Sequence, residues 1–303
     1  MKILITGSNG LLGQKIVYAC LGKYKNQVEL IATARGNNRL IEQTGYKYHP
    51  MDISNQANVL EVIEQFMPDV VIHAAAMTNV DACETDKEGC LQNNVHAVQY
   101  IVEACNKTNA HLVHVSTDFI FDGLNGPYSE DAEPNPVSYY GWSKAEAEKI
   151  VKETSNSWAI LRTILVYGVA DHMSRSNVVL WAKGALEKGS PINVVDDQFR
   201  MPTLAEDLAE GCLLAATQKA NGIFNISGPD YMNIFELVNR VADYFGLDKS
   251  IVNRTDSSGL NQPAKRPPRT GFDLSKSRSV LGYNPRSFEE GLAILEQQIK
   301  AQS

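Results

Sequence analysis

No run of basic residues interrupts this 303-residue chain, whose net charge is −7. Its densest cationic stretch, Lys265-Arg266-Pro267-Pro268-Arg269, is short and broken by proline. A sequence-independent nucleic-acid binder carries a basic patch or stripe, so that class is excluded, and the stretch reads as a pocket edge or loop. Long apolar runs are missing as well. Nothing reaches the ~20 residues that a membrane-spanning helix needs. The N-terminal run Met1-Lys2-Ile3-Leu4-Ile5-Thr6 stops at Gly7, too short for a signal-peptide core and without a small-residue cleavage site. The expectation is a cytoplasmic protein with no membrane partner. Cysteine is sparse, odd in number and scattered: Cys20, Cys83, Cys90, Cys105 and Cys212. No Cys-x-x-Cys pair and no Cys/His cluster at zinc spacing occurs. Reduced thiols and no metal are expected. There is no internal repeat and no low-complexity tract.

What is present is alternation. Short apolar runs at Lys2–Thr6, Val28–Thr33, Val70–Ala74, His111–Ser116 and Trp158–Arg162 read as strands. Between them, Leu11–Leu21, Gln56–Phe66, Lys87–Asn106 and Ser138–Thr154 read as helices. Strands alternating with helices predict an α/β protein with a doubly wound parallel sheet of the Rossmann type. After about Leu165 the pattern loosens into helices at Ser176–Lys188, Ala205–Ala216, Ile234–Phe245 and Phe288–Lys300. Strands are expected at Ile192–Val195 and Ile223–Ile226, and a Pro-rich loop at Gln262–Arg269. Residues 1–165 therefore read as a dinucleotide-binding domain that takes later strands from about 190–226. Residues 166–303 read as a smaller C-terminal substrate-binding lobe interwoven with it.

Gly7-Ser8-Asn9-Gly10-Leu11-Leu12-Gly13 follows the first strand and opens the first helix. A tight turn, close approach to a diphosphate and close helix–sheet packing each call for a missing side chain. The helix N-terminus then offers free N–H groups to the anion. The spacing is G-x-x-G-x-x-G rather than the commoner G-x-G-x-x-G. At the end of the second strand, Ile31-Ala32-Thr33-Ala34-Arg35 carries no acid to accept from a ribose 2′-hydroxyl. Arg35 suits a 2′-phosphate, so the reading leans to NADP with NAD left open; a solvated arginine is the plain alternative.

Tyr140-Gly141-Trp142-Ser143-Lys144 begins a helix. Residues four apart share a helix face, so Tyr140 and Lys144 can converge, and a nearby cation favours phenolate. Tyr139 has Ser143 at the corresponding position. The preceding strand runs into Ser116-Thr117-Asp118, at the strand end where ligands bind in open α/β sheets. Hydroxyls there also commonly cap turns.

Taken in order, GSNGLLG (7–13), AAAMTNVDACE (74–84), STDFIFDG (116–123), YGWSK (140–144), RTILVYG (162–168) and DQFRMPT (197–203) carry a family resemblance, joined by Arg266-Pro267 and Leu274-Ser275-Lys276. The chain resembles the extended short-chain dehydrogenase/reductase family throughout its length, and within it the dTDP-4-dehydrorhamnose reductases. The resemblance implies that Gly7, Gly10 and Gly13, with Ser8, Asn9, Leu11 and Leu12 between them, cradle the cofactor diphosphate. It implies that Asp52 and Ile53 meet the adenine and that Ala74, Ala75 and Ala76 let the ribose lie close to the sheet. Asn94 would hold the active-site architecture, and Thr117, Tyr140 and Lys144 would be the catalytic triad. Asp118 and Arg200 join Thr117 on the substrate side, Arg200 facing a phosphate. The implied reaction is NAD(P)H-dependent reduction of a 4-keto sugar carried on a nucleotide diphosphate, by a homodimer paired through Lys87–Asn106 and Ser138–Thr154. Met77 and Leu165 depart from the tyrosine and tryptophan usual in those reductases, and Arg200 stands where they often have glycine; an arginine there is common in sugar-nucleotide epimerases and dehydratases, where it meets a phosphate.

Two rivals stand beside this reading: a sugar-nucleotide epimerase, and a non-catalytic NADP-binding regulatory subunit of the kind that serves methionine adenosyltransferase. Dehydration is disfavoured, because Phe119 rather than an acid follows Asp118. His73, His96, His111 and His114 read as core or helix-surface residues, and Asp81 and Glu84 as solvated loop carboxylates. Trp142 and Trp181 are expected in the core or an interface.

Overall fold

The structure, a computed structural model, describes residues 1–172, 176–259 and 262–302. Seven parallel strands form the central sheet: β1 Lys2–Thr6, β2 Glu29–Ala34, β3 Lys47–Pro50, β4 Val70–His73, β5 His111–Thr117, β6 Trp158–Thr163 and β7 Gly222–Asn225. Their spatial order is β7-β6-β5-β4-β1-β2-β3. The chain winds outward in one direction from β1 to β3 and in the other from β4 to β7, so the switch point lies between β1 and β4. In open α/β sheets a crevice opens there, beyond the strand C-termini.

The helices are α1 Leu11–Leu21, α2 Gln56–Phe66, α3 Val80–Thr85, α4 Lys87–Leu91, α5 Ala97–Thr108, α6 Tyr139–Thr154, α7 Val178–Glu187, α8 Ala205–Gln218, α9 Ile234–Phe245 and α10 Phe288–Gln302. Strand periodicity sorts side chains to the two faces of the sheet. Ile3 and Ile5 of β1 pack with Ile16 and Val17 of α1 and Leu208 and Cys212 of α8. Leu4, between them, packs on the other face with Val59 and Ile63 of α2, Ile101 of α5 and Ala147 and Val151 of α6. Covered on both faces, the central strands are apolar at most of their positions. A third core joins Val179 and Leu186 of α7, Leu237 and Val241 of α9, and Phe288, Leu292 and Leu295 of α10.

Several elements depart from the sequence reading. The edge strand β3, with its Lys-Tyr-His-Pro sequence half-buried to exposed, has no apolar run to announce it. Of the strands expected from about 190–226, β7 completes the central sheet, whereas Ile192–Val195 pairs with Val252–Thr255 in a separate two-stranded sheet. The helix expected over Lys87–Asn106 is α4 and α5 joined by a π-helical turn at Gln92–His96. The loop assigned to Asp81 and Glu84 is helix α3, capped by Asn79, whose side chain accepts from the Ala82 N–H at 3.0 Å. Trp142 and Trp181 are 38% and 42% exposed, so neither packs in the core.

Candidate active site

The glycine turn closes on itself before α1 begins. The Gly10 N–H donates to the Gly7 carbonyl at 2.9 Å, and Ser8 N–H donates to Thr33 of β2 at 3.0 Å. Gly7 adopts φ +75°, and a Cβ there would lie 2.9 Å from the Ala75 Cα. A Cβ on Gly13 would overlap the Gly7 carbonyl oxygen. The turn, the first helix and the Ala74–Ala76 segment beyond β4 are thus in mutual contact only because side chains are missing. Asn9 ties the turn to the loop after β2, donating to Asn37 O at 2.9 Å and accepting from Arg39 N–H at 2.9 Å. Gly10 gives α1 no side-chain cap, and the Ser8 hydroxyl is buried without a partner among the described residues. Uncapped N–H groups beside an unsatisfied hydroxyl fit a phosphate.

Beyond the second strand, Arg35 is exposed and makes no ion pair among the described residues. Asp52 is half-buried and Ile53 buried in the next strand-end loop, where Asp52 accepts from the Ser54 hydroxyl at 2.7 Å.

On the other side of the switch point, β5 ends at Thr117 and a single 3₁₀ turn, Asp118–Ile120, follows it. The Thr117 hydroxyl accepts from Phe119 N–H at 3.2 Å and donates to Asp118 at 3.1 Å. Helix α6 is capped by Ser138 and starts against that turn, where a Cβ on Gly141 would overlap the Phe119 carbonyl oxygen. This close approach sets Tyr140 against Thr117, with the Phe119 ring edge-on at 5.8 Å. Burial drives the Tyr140 phenol well above its ordinary value; the Thr117 hydrogen bond opposes that shift and Asp118 adds to it. The phenol is therefore held in its acid form.

Lys144, one turn along α6, is buried. Its Nζ donates to the Val115 carbonyl at 2.8 Å and lies 3.2 Å from His114 Nε2. Burial lowers the Lys144 pKa to about 8, against the raising influence of Glu148 and Cys90. His114 stacks on His73, ring centroids 5.5 Å apart, and the Thr6 hydroxyl meets His73 Nδ1 at 2.8 Å. Neither histidine lies at a spacing that marks it as functional, yet in the fold His114 touches Lys144.

Asn94 sits in the π-helical turn. Its side chain accepts from Met77 N–H at 2.8 Å and donates to Met77 O and the Ser143 hydroxyl, both at 3.0 Å. A π-turn is a common device for re-aiming a helical side chain at a functional site. Here one amide clamps the segment after β4 to the start of α6. Asp81 and Glu84 are likewise engaged rather than solvated. Asp81 pairs with Arg266 at 2.7 Å, and Glu84 accepts from the Tyr139 N–H at 2.6 Å.

Asp118 and Arg200 close the far side. Asp118 is buried, accepts from the Thr270 hydroxyl, and lies 3.9 Å from Arg200 Nε. Burial raises its carboxyl above the usual range, against Arg200, Thr270 and Thr117. Arg200 is buried as well and donates to Phe199 O at 2.7 Å, Pro267 O at 2.8 Å and Pro268 O at 3.3 Å. Its guanidinium spends three of its five N–H groups on these carbonyls and so braces the loop at Pro267 and Pro268. Leu165, flagged for its departure from the tryptophan of the reductases, has φ +40°, a conformation that costs a branched residue energy and occurs chiefly where structure around it compels it. Among the described residues no group of three or more His, Cys, Asp or Glu side chains could hold a metal ion, and no helix is long and apolar enough to cross a membrane.

A doubly wound sheet with a glycine turn at its switch point and a Tyr-x-x-x-Lys pair beside the strand-end hydroxyl defines a nicotinamide-dependent oxidoreductase of the short-chain class. The chain belongs to the RmlD substrate binding domain family, which matches residues 1–300. It is similar to the dTDP-4-dehydrorhamnose reductase of Aggregatibacter actinomycetemcomitans, 29% identical over 96% of this chain and 97% of that one. It is also similar to methionine adenosyltransferase 2 subunit beta of Rattus norvegicus, 30% identical over 94% of this chain and 84% of that one. Among solved structures, dTDP-4-dehydrorhamnose reductase from Bacillus anthracis in complex with NADP superposes with a TM-score of 0.83. That protein is 26% identical, with 98% of this chain and 99% of that one covered. The chain is accordingly a dTDP-4-dehydrorhamnose reductase-like, NAD(P)-dependent oxidoreductase.

Proposed function

We propose that this protein uses NADPH to reduce the 4-keto group of a nucleotide-diphosphate sugar such as dTDP-4-dehydro-L-rhamnose, with Tyr140 as proton donor. The observation that carries this reading is Tyr140 set against Thr117 at the C-terminal end of β5, with Lys144 one helical turn along α6 and bonded to the Val115 carbonyl of the same strand. The nicotinamide, when bound, supplies the hydride. Tyr140, kept in its acid form by burial, gives its proton to the carbonyl oxygen. Lys144 stabilises the phenolate left behind and holds the nicotinamide ribose. Thr117 orients the carbonyl oxygen by turning its single O–H from Asp118 toward that oxygen when substrate binds. The Gly7–Gly13 turn and the α1 N–H groups take the diphosphate, Arg35 the 2′-phosphate, Asp52 and Ile53 the adenine, and Ala74–Ala76 the ribose. Asn94 keeps the Met77 segment in register with α6. Arg200 serves the sugar-nucleotide side, directly or through the segment it braces. The same reading makes the protein a cytoplasmic homodimer.

The test is NADPH consumption with a panel of 4-keto nucleotide sugars. Tyr140→Phe is expected to lower turnover by ~10²–10⁴-fold while leaving NADPH affinity within a few-fold. Near-wild-type turnover in that variant would sink the assignment. An epimerase would interconvert sugars without net NADPH consumption. The 30% identity to a methionine adenosyltransferase subunit favours a second reading, a regulatory subunit that binds NADP without turnover. Tight NADPH binding with no product from any sugar, and a shift in methionine adenosyltransferase activity on mixing, would establish it.

A further inference from the structure

His114 lies in the middle of β5, wholly buried, with Nε2 3.2 Å from Lys144 Nζ. Its ring stacks on His73, which Thr6 of β1 anchors. Burial, with Lys144 alongside, drives both imidazoles far below their ordinary value, His73 to about 3. Both are neutral at physiological pH. A neutral ring facing an ammonium must present its bare nitrogen, so Nε2 accepts and Nδ1 carries the hydrogen.

An ammonium has three N–H donors. The Val115 carbonyl takes one and His114 Nε2 a second, which leaves one for the site. The other titratable or charged groups facing Lys144 do not fix its direction. Glu148, further along α6, is committed to Arg162 in a buried ion pair at 2.8 Å. Cys90 of α4 is bonded to Ser143 and Asn94. His73 meets the Thr6 hydroxyl and stacks on His114, and Tyr140 meets Thr117. Asn94 is spent on Met77 and Ser143.

We propose that His114 is a positioning residue for Lys144: its bare ring nitrogen holds the ammonium in its protonated form and aims the one remaining N–H toward the cofactor ribose and Tyr140. The proposal rests on the assignment of Lys144 made above. It predicts a specific change in pH dependence, because removing an acceptor from a charged group disfavours the charged form.

The experiment compares His114→Phe, which keeps a stacking ring and lacks an acceptor, with His114→Gln, which restores one. NADPH affinity, read by fluorescence titration without any sugar, is followed from pH 6 to 10, and turnover likewise. In His114→Phe the alkaline limb of both profiles is expected to move to lower pH by about one unit, and in His114→Gln by less than about a third of that. His114→Leu provides a second acceptor-free variant should the phenylalanine not fit. Lys144→Met is expected to erase the limb. A limb absent in Lys144→Met yet unmoved in His114→Phe overturns the proposal alone. Equal displacement by Phe and Gln also overturns it, by showing that packing rather than the acceptor matters. A limb that survives in Lys144→Met overturns the Lys144 assignment and His114 with it. Failure of every sugar to turn over leaves the NADPH limb as the deciding readout.

Discussion

Single positions divide into those whose chemistry is local and those whose partner lies far along the chain. Arg35 belongs to the first group. It stands exposed where β2 ends, with no acid at that strand end to receive a 2′-hydroxyl. Arg35→Ala is therefore expected to weaken NADPH binding roughly ten- to a hundredfold and NADH binding hardly at all. Parallel titrations of the two cofactors check this, and equal losses would mean that Arg35 supports only its loop. Gly7, Gly13, Tyr140 and Lys144 were legible for the same local reason: a turn and a four-residue helical spacing are written within a few residues. The Asp81–Arg266 pair and the His114–Lys144 contact were not, because sequence spacing carries no information about the register of β5 against α6 or the path of a loop returning 185 residues later.

At the level of elements, the junction between the Asp118–Ile120 turn and the start of α6 sets Tyr140 against Thr117. Gly141 lets the helix start against the Phe119 carbonyl. Gly141→Ala must push the two apart, which costs about 1–3 kcal/mol of stability as overpacking and separates Tyr140 from Thr117. A displacement of ~1 Å at reacting groups costs on the order of 10²-fold in rate. The expected result is a folded protein with NADPH affinity within a few-fold of wild type and turnover reduced by about that factor, measured by titration and steady-state assay. A variant with full turnover would show that the contact is not limiting. The apolar runs of the buried strands made most of the sheet readable, since burial on both faces demands them. The half-exposed β3 and the π-turn at Gln92–His96 left no such pattern: one is an edge strand of polar residues, the other a helix whose sequence period barely changes.

For the molecule as a whole, the buried histidines dictate how stability depends on pH. His73, His111 and His114 all sit inside the sheet. Burial lowers His73 to about 3 and His111 to about 4, and holds His114 well below 6.5. Released by unfolding, each returns to an ordinary pKa near 6.5. Above that value neither state is protonated at these sites and their contribution to stability is complete. As pH falls below it, the unfolded chain takes up three protons that the folded chain refuses, so stability is lost on the acid side. His73 and His111 each cost about 2 kcal/mol between pH 7 and pH 5, about 4 kcal/mol for the two, and His114 acts in the same direction. Together that is a large fraction of the whole stability of an ordinary domain, about 5–15 kcal/mol. Carboxylates held low by ion pairs, such as Asp81 beside Arg266, add losses of the same sign only at still lower pH. Denaturant unfolding at pH 7, 6 and 5 is expected to show this decline, with a slope of about two protons or more per molecule near pH 5. His111→Asn offers the sharpest check. His111 lies at the far end of β5 from Thr117, its ring bonded to the Ser157 hydroxyl at 2.8 Å, and its replacement should reduce the slope by about one proton. A slope unchanged in that variant would locate the acid sensitivity elsewhere.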